Sequence, residues 1–265
     1  MTAGGDIARI ASIGMAEIPV NLQRGLKLTA LFSCDCLLCG LPARSGNICA
    51  GCRADLPWIR RPCQRCGAPR PAERANDECA PDECTICRPR LNGVYRCRSA
   101  LIYEYPVDRL ITRAKFQSRP ECARALGEML NVYLRAARIG GSLALPDVLV
   151  PVPLHRDRQA RRGFNQAVEV AGPIARAWRL PVMQRGCMRI VNTIAQTALT
   201  GSARRANIRG AFRVTADLTG ASIAIVDDVL TTGSTAIELA TTLRSSGAAS
   251  VEVWTVARAA RQITG

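Results

Sequence analysis

From residue 94 onward, short apolar runs alternate with longer stretches in which apolar residues recur at helical spacing. The apolar runs predict strands at Cys97–Tyr103, Val148–Val152, Ile223–Val226 and Val251–Val256. The stretches between and beside them predict helices at Val107–Phe116, Pro120–Arg138, Phe164–Trp178 and Thr235–Ser246. Because proline removes a backbone donor, Gly172-Pro173 is expected to kink or restart the third helix. Strands that alternate with helices predict an α/β domain with a mainly parallel sheet.

The N-terminal part of the chain has a different pattern and little core of its own. Apolar residues at helical spacing predict one short amphipathic helix within Val20–Phe32. Beyond it, glycine and proline recur at the spacing of turns up to about residue 92. The change of pattern predicts two domains, a small one over 20–92 and an α/β domain over 93–265.

Cysteines are concentrated in the small domain. Of the 13 cysteines, ten lie between Cys34 and Cys87, and eight of these form four CxxC pairs. Two such pairs bring four thiolates to one zinc ion. The predicted ligands of two structural zinc sites are Cys36, Cys39, Cys49 and Cys52, and then Cys63, Cys66, Cys84 and Cys87. Cys34 and Cys79 are alternatives to Cys36 and Cys84.

Disulfides and a redox CxxC are the other interpretations of this cysteine pattern. The N-terminus lacks a secretory signal, which predicts a cytoplasmic protein, where disulfides are disfavoured. Met15 is an alternative start to Met1. No run of about 18 uncharged apolar residues occurs, so no membrane span is predicted.

Charge adds a second clue. The chain has 36 Lys+Arg against 21 Asp+Glu, a net charge of +15, while its 48% hydrophobic residues suffice for a core. The segment 155–213 has twelve arginines and only two acidic residues, a net of +10. Arginine forms bidentate bonds to phosphate, so the cluster indicates a polyanionic partner, with a solvated basic face as the alternative. Only Phe164, Trp178 and Phe212 lie near this stretch, which is few for base stacking.

The clearest chemical motif is Ile223–Thr235, with the sequence IAIVDDVLTTGST. An apolar strand brings Asp227 and Asp228 to its carboxyl end, and a hydroxyl-rich turn then begins a helix. Backbone N–H groups and the helix dipole converge at such a turn, which favours a phosphate. Because the carboxylates can accept hydrogen bonds from sugar hydroxyls, the motif predicts a ribose 5-phosphate site. A structural capped turn and a divalent-metal site are the alternatives.

The same segment resembles the phosphoribosyl pyrophosphate (PRPP) motif of type I phosphoribosyltransferases. Upstream, PVPLHRDR over 151–158 and RRGFNQ over 161–166 resemble the signature of the ComF/GntX family. RIVNTIAQTAL over 189–199, RRANIRGAF over 204–212, the Lys115-Phe116 step and the double zinc ribbon are also similar to that family. The resemblance covers nearly the whole chain from Leu22.

This resemblance implies a type I phosphoribosyltransferase-like, Rossmann-like fold with a zinc-ribbon domain, and it assigns roles to residues. The PRPP-binding residues would be Asp227, Asp228, Val229, Leu230, Thr231, Thr232, Gly233, Ser234 and Thr235. The pyrophosphate loop would be Pro153, Leu154, His155 and Arg156. Phosphate or nucleic-acid contacts would come from Arg161, Arg162, Arg189, Arg204 and Arg205, with a flexible loop within 189–205. Asp227, Asp228 and Lys115 would act in catalysis.

The resemblance also implies ligands and partners. Magnesium would accompany PRPP, and the family's association with DNA uptake in competence adds single-stranded DNA and a competence-machinery helicase as partners. Three functions stay open at this point: a pentosyl-transferring enzyme, a single-stranded DNA-binding competence factor, and a zinc-ribbon adaptor without transferase activity. Fold alone does not decide among them. The sequence indicates neither the acceptor nor the oligomeric state.

Overall fold

The computed structural model describes residues 34–44, 46–70, 96–192 and 208–259. The ribbon part contains β1 Cys34–Asp35, β2 Pro42–Ala43 and α1 Ala50–Ala54. The remaining elements are β3 Arg96–Ile102, α2 Val107–Phe116, α3 Pro120–Ile139, β4 Val148–Pro151, α4 Arg156–Arg162, α5 Gln166–Trp178, β5 Cys187–Arg189, β6 Phe212–Val214, β7 Ser222–Leu230, α6 Ser234–Ser245 and β8 Ser250–Arg258. The helix predicted within 20–32 lies outside the described residues.

Four strands form one parallel sheet in the order β3-β8-β7-β4. Side chains alternate between its two faces, as they must in a strand. Ala224 and Val226 face a cluster that includes α2, α3 and α5, while Ile223 and Ile225 face α6 and the β5–β6 hairpin. The α/β class with a mainly parallel sheet is therefore confirmed.

Helix α4 and strands β5 and β6 were not predicted, and two of the predicted elements differ from their prediction. Helix α5 continues through Pro173 without restarting, and it packs closely on α3. The approach is so close that a Cβ at Gly127 of α3 would lie 2.4 Å from the Val170 carbonyl oxygen. Strand β7 extends past the predicted end at Val226 to Leu230, so both aspartates lie within the strand.

The described ribbon residues cover the β3 edge of the sheet. The Ile59 amide donates to the Ala100 carbonyl oxygen at 2.9 Å, and the Ile102 amide donates to Pro57 at 2.8 Å. The Cys97 amide donates to Arg65 at 2.8 Å. These bonds satisfy backbone groups that an open edge would leave unpaired. The ribbon and the α/β domain thus share one packed body within the described residues, with the boundary predicted near residue 92 lying among residues not described.

Candidate functional site

A cavity of about 690 Å³ lies at the carboxyl ends of the sheet strands, where parallel α/β sheets bind ligands. Residues from α2, α4, β5, β7 and the turn into α6 line it together. Its charged lining residues are Lys115, Arg158, Arg161, Arg162, Arg189, Asp227 and Asp228. With five cations against two carboxylates, the cavity suits an anion with several negative charges.

The two carboxylates lie on β7 and are held differently. Asp228 is 5% exposed, and its Oδ2 lies 2.7 Å from Lys115 Nζ. Burial lowers the pKa of Lys115, but the Asp228 charge outweighs it, so the pKa is raised and the amine stays charged. Burial, and then the negative charge of Asp228, raise the pKa of Asp227 to about 8. Asp227 therefore binds a proton more tightly than an ordinary aspartate does.

The segment Thr231–Gly233, which we call the phosphate turn, connects β7 to α6. Gly233 precedes α6 with a φ of 81°, a left-handed conformation that glycine adopts without strain. The Ser234 amide donates to Thr232 Oγ1 at 3.4 Å, and the two hydroxyls lie 3.0 Å apart. Gly233 itself has no side chain to cap α6, and the first turn of the helix faces the cavity. The geometry matches an anion site at a helix N-terminus.

The arginines of α4 are positioned by the turn that follows that helix. Gly163 ends α4 with a φ of 81°. Asn165 then caps α5 by accepting from the Ala167 amide at 3.0 Å, and its Nδ2 donates to the Val152 carbonyl oxygen at 3.0 Å. This turn therefore fixes α4 beside the end of β4, which explains the glycine and the asparagine of RRGFNQ.

Burial, and then repulsion between neighbouring cations, lower the pKa values of three arginines in the cavity. Burial and then Arg161 lower the pKa of Arg158. Burial also lowers the pKa of Arg162, although Asp228 opposes the effect. Arg189 is 9% exposed, and burial followed by the charge of Arg158 lowers its pKa to about 10. A bound polyanion would relieve this repulsion, which indicates where ligand negative charge belongs.

The expected pyrophosphate loop contributes less to the cavity than the resemblance implied. Leu154 is the one member of Pro153–Arg156 among the lining residues. His155 instead caps α4, where its Nδ1 accepts from the Asp157 amide at 3.4 Å. The Arg156 side chain is 92% exposed. Arg204 and Arg205 lie outside the described residues.

Arg258 is a buried residue that the sequence predictions did not include. At the end of β8, its Nη1 donates to the carbonyl oxygens of Leu230, at 2.6 Å, and of Thr231. Its Nε donates to the Cys66 carbonyl oxygen at 3.3 Å. The guanidinium thus connects the phosphate turn to the ribbon. A charged residue that ends an apolar strand was the available signal. Arg158, Gln166 and Tyr103 are further lining residues that the predictions missed.

The first cysteine quartet forms a metal-ligand cluster. The sulfur atoms of Cys36, Cys39, Cys49 and Cys52 all lie within 4.8 Å of one another. Cys39 Sγ and Cys49 Sγ are 3.8 Å apart, about the edge of a tetrahedron with Zn–S bonds of ~2.3 Å. Although burial opposes it, backbone amides such as that of Cys49 lower the pKa of the Cys36 thiol to about 6. The donor set and spacing fit zinc.

The first CxxC pair of the second quartet, Cys63 and Cys66, repeats the backbone pattern of Cys36 and Cys39. The Cys36 amide bonds to Leu41 and the Gly40 amide to Cys36, while the Cys63 amide bonds to Ala68 and the Gly67 amide to Cys63, at 2.8 and 2.9 Å in each case. Gly40 and Gly67 both have positive φ, at 74° and 68°. The backbone of Cys63 and Cys66 therefore has the same conformation as the metal-binding knuckle at Cys36 and Cys39. Cys79, Cys84 and Cys87 lie outside the described residues.

Comparisons with known proteins agree with these features. A profile of the double zinc ribbon domain matches residues 27–80. DNA utilization protein YhgH of Escherichia coli K12 is 35% identical over 225 residues, which cover 84% of this chain and 96% of that protein. Competence protein F of Haemophilus influenzae is 36% identical over 59% of this chain and 70% of its own. Competence protein ComFC of Bacillus subtilis is 28% identical over 80% and 84%.

Among solved structures, a glutamine PRPP amidotransferase from B. subtilis, complexed with ADP and GMP, is similar over 51% of this chain. The match has 22% identity, a TM-score of 0.33 and covers 26% of that chain, so this protein spans about a quarter of its length.

The protein is therefore a parallel α/β protein with an N-terminal double zinc ribbon. Given the extent of its similarity to YhgH, the chain belongs to the ComF/GntX family. No helix in the described ranges is long and apolar enough to cross a membrane.

Proposed function

We propose that this protein binds Mg-PRPP, or a related ribose 5-phosphate compound, and acts in DNA uptake or utilization. One observation carries the ligand assignment. Two carboxylates, a helix N-terminus and five cations converge on a single cavity of about 690 Å³. The cellular role is proposed from the names of the relatives, which refer to DNA utilization and competence. Such a role would bring single-stranded DNA and a competence-machinery helicase to the protein.

Each part of the ligand has a matching part of the cavity. The 5-phosphate would lie at the phosphate turn, against backbone amides at the start of α6. Asp227 and Asp228 would accept hydrogen bonds from the ribose hydroxyls. Arg158, Arg162 and Arg189 line the cavity and would hold the pyrophosphate. Carboxylate oxygens suit Mg²⁺, so the aspartates fit the ion that accompanies PRPP.

The arrangement also supports pentosyl transfer. The bond between C1′ and the pyrophosphate oxygen would break, and its electron pair would leave with pyrophosphate. A nitrogen nucleophile would form the new bond to C1′ and lose its proton. Bound magnesium would add electrostatic stabilisation of the leaving group. Asp228 would stabilise positive charge at the ribose, while Lys115 and the arginines would stabilise the departing pyrophosphate.

Calorimetry with Mg-PRPP and with ribose 5-phosphate tests the binding site. We expect Asp228→Asn to lower affinity about 10- to 100-fold, because a ribose hydroxyl would then donate to a neutral amide oxygen and not to a charged carboxylate. Asp108→Asn, on α2 but outside the cavity lining, is the matched control and should bind as wild type does. A wild-type protein that binds neither ligand would refute the proposal. Pyrophosphate release in the presence of nucleobases tests transfer separately.

Single-stranded DNA binding is a second candidate function. It is favoured by the arginines of α4, because Arg156 is exposed beside the cavity, and Arg161 is exposed at its edge while Arg158 and Arg162 line it more deeply. A strand could therefore reach both exposed and cavity cations. This function predicts steeply salt-dependent binding of an oligonucleotide. PRPP should compete with the oligonucleotide. Oligonucleotide binding that PRPP does not reduce would show that the two ligands have separate sites.

A further inference from the structure

We propose that Arg258 is a positioning residue for the phosphate turn, and that the zinc ribbon determines where Arg258 lies. The ribbon acts through residues 63–67, which we call the second knuckle. This inference rests on the proposed function, because it makes the affinity of the cavity for a phosphate depend on how the ribbon packs on the sheet. Displacing the second knuckle should therefore weaken phosphate binding, although none of its residues lines the cavity.

The Arg258 guanidinium is buried between two distant parts of the chain. The residue is 6% exposed and does not line the cavity. Its Nη1 donates to the carbonyl oxygens of Leu230, at 2.6 Å, and of Thr231, while its Nε donates to the Cys66 carbonyl oxygen at 3.3 Å. A buried charged donor that loses its acceptor costs free energy, so the guanidinium must stay where both sides can accept. Its position therefore depends on Cys66 as well as on the end of β7.

The direction of the carbonyl groups determines the direction of the neighbouring amides. In a planar trans peptide unit, the C=O and N–H bonds point in opposite directions. Because the Leu230 and Thr231 carbonyl oxygens point toward Arg258, the amides of Thr231 and Thr232 point away from it. Thr231 and Thr232 line the cavity. Arg258 thus orients two N–H groups that a bound phosphate would use.

The second knuckle packs so closely on β3 that a small displacement would reach Arg258. A Cβ at Gly67 would lie 3.0 Å from Ser99 Oγ and 3.2 Å from the Cys97 carbonyl oxygen. The Cys97 amide also donates to the Arg65 carbonyl oxygen at 2.8 Å. Since Cys66 immediately precedes Gly67, a side chain at Gly67 would move the acceptor of the Arg258 Nε group.

The first knuckle provides a matched comparison within the same protein. Gly40 has the same place in its knuckle as Gly67, and the two φ angles are 74° and 68°. A Cβ at Gly40 would meet nothing within 4 Å. Alanine therefore introduces the same left-handed strain at both positions, but it presses against the sheet only at Gly67. Comparing the two variants separates the contact with the sheet from the strain.

Calorimetry with ribose 5-phosphate measures the effect on the cavity. Gly67→Ala should lower the affinity about 3- to 10-fold, whereas Gly40→Ala should change it less than about 2-fold. Arg258→Met should lower the affinity about 5- to 30-fold. Arg98→Met is its control, because Arg98 is 4% exposed, donates to Glu252 and lies outside the lining. This control should lose stability but change the affinity less than about 2-fold.

A double variant tests whether the knuckle acts through Arg258. In the Arg258→Met background, Gly67→Ala should cause no further loss of affinity, because the connection that it perturbs is already absent. Additive losses would overturn the proposal, and so would equal affinities in Gly67→Ala and Gly40→Ala. If Gly67→Ala fails to fold, an equal loss of affinity in Arg258→Met and Arg98→Met would overturn it instead.

Hydrogen exchange tests the same connection without a ligand. The Ser234 amide donates to Thr232 Oγ1 and the Ala259 amide to the Leu230 carbonyl oxygen, so both amides report the order of the turn. Their exchange should be faster in Gly67→Ala than in wild type, and unchanged in Gly40→Ala. If wild type binds neither ribose 5-phosphate nor Mg-PRPP, the proposed function is wrong. Faster exchange confined to Gly67→Ala would then still support the connection, and unchanged exchange would refute it.

Discussion

Gly233 provides a sharp test of the phosphate turn, because two different reasons would make glycine necessary there. A side chain would either occupy the volume of the phosphate or be incompatible with the φ of 81°. A Cβ at this position would meet only Ile237 Cδ1 and Leu230 Cδ1, each at 3.8 Å, which is ordinary contact. The protein itself therefore leaves room, and the backbone angle is the constraint we expect to dominate.

The magnitude follows from that angle. A left-handed conformation costs a non-glycine residue roughly 1–2 kcal/mol. If the turn of Gly233→Ala relaxes to avoid this cost, the binding-competent conformation falls to about 3–15% of the population, and affinity for ribose 5-phosphate falls about 6- to 30-fold. If the turn does not relax, the free energy of unfolding falls by about 1–2 kcal/mol instead. Calorimetry and urea denaturation measure the two quantities.

Two further variants separate the explanations. Asparagine tolerates the left-handed region, so Gly233→Asn should recover much of the affinity if the angle is decisive, and should remain impaired if the phosphate fills the volume. Gly141→Ala, at a φ of 70° with open space around it and outside the cavity lining, should lose stability without losing affinity. Wild-type affinity and stability in Gly233→Ala would refute the reasoning, and so would an equal loss of affinity in Gly141→Ala.

The remaining predictions concern the metal knuckles, the cations and the buried charges. Purified protein should contain two zinc ions, and Cys36→Ser should remove one and destabilise the ribbon; metal analysis that finds none would contradict the cluster. Arg162→Ala should weaken PRPP binding and reduce the salt slope of oligonucleotide binding by about one. Arg156 is exposed, so Arg156→Ala should change PRPP binding little. Equal effects of the two variants on PRPP binding would indicate that both arginines belong to a solvated surface. The pKa of Asp227 is raised to about 8 in the folded state, against a value near 4 in the unfolded state. Proton binding by Asp227 therefore stabilises the folded state. The stabilisation is full at low pH and is lost as pH rises to about 8. Asp227→Asn should therefore gain melting temperature relative to wild type between pH 5 and pH 8, and a constant difference would argue against the raised pKa. Arg258→Met leaves carbonyl oxygens of the phosphate turn and of the ribbon without their donor. It should lower the free energy of unfolding by about 2–4 kcal/mol and speed amide hydrogen exchange in the turn. Unchanged exchange would show that the Arg258 hydrogen bonds do not order the turn.

Local pattern was sufficient for most of the elements. The helix predicted at Val107–Phe116 has those bounds in the structure, and the parallel class followed from the alternation of apolar runs and amphipathic stretches. Such patterns predict elements correctly because a helix buries side chains about once per turn and a strand buries every second side chain. The extension of β7 to Leu230 was missed because two aspartates interrupt its apolar run, and tertiary pairing with β8 outweighs their low strand propensity.

The motif chemistry was also readable in sequence where its parts are contiguous. The carboxylates and the phosphate turn follow one another directly, and the CxxC pairs define their own knuckles, so local geometry brings those groups together. His155 shows the limit of this reasoning. Its neighbours suggested a phosphate contact, which stays a prediction, and only the structure shows that the start of α4 at Arg156 makes its Nδ1 a helix cap.

Convergence of distant segments was decided only by the tertiary structure. Lys115 reaches Asp228 across 113 positions of sequence, and Arg258 connects Thr231 with Cys66. Phe116 joins the arginines of α4 in one cavity although the nearby sequence contains other aromatics. Periodicity records which face of an element is buried, but not which other element covers it or at what register. Those depend on strand order and on helix crossovers, and they determine which charges and rings meet at the site.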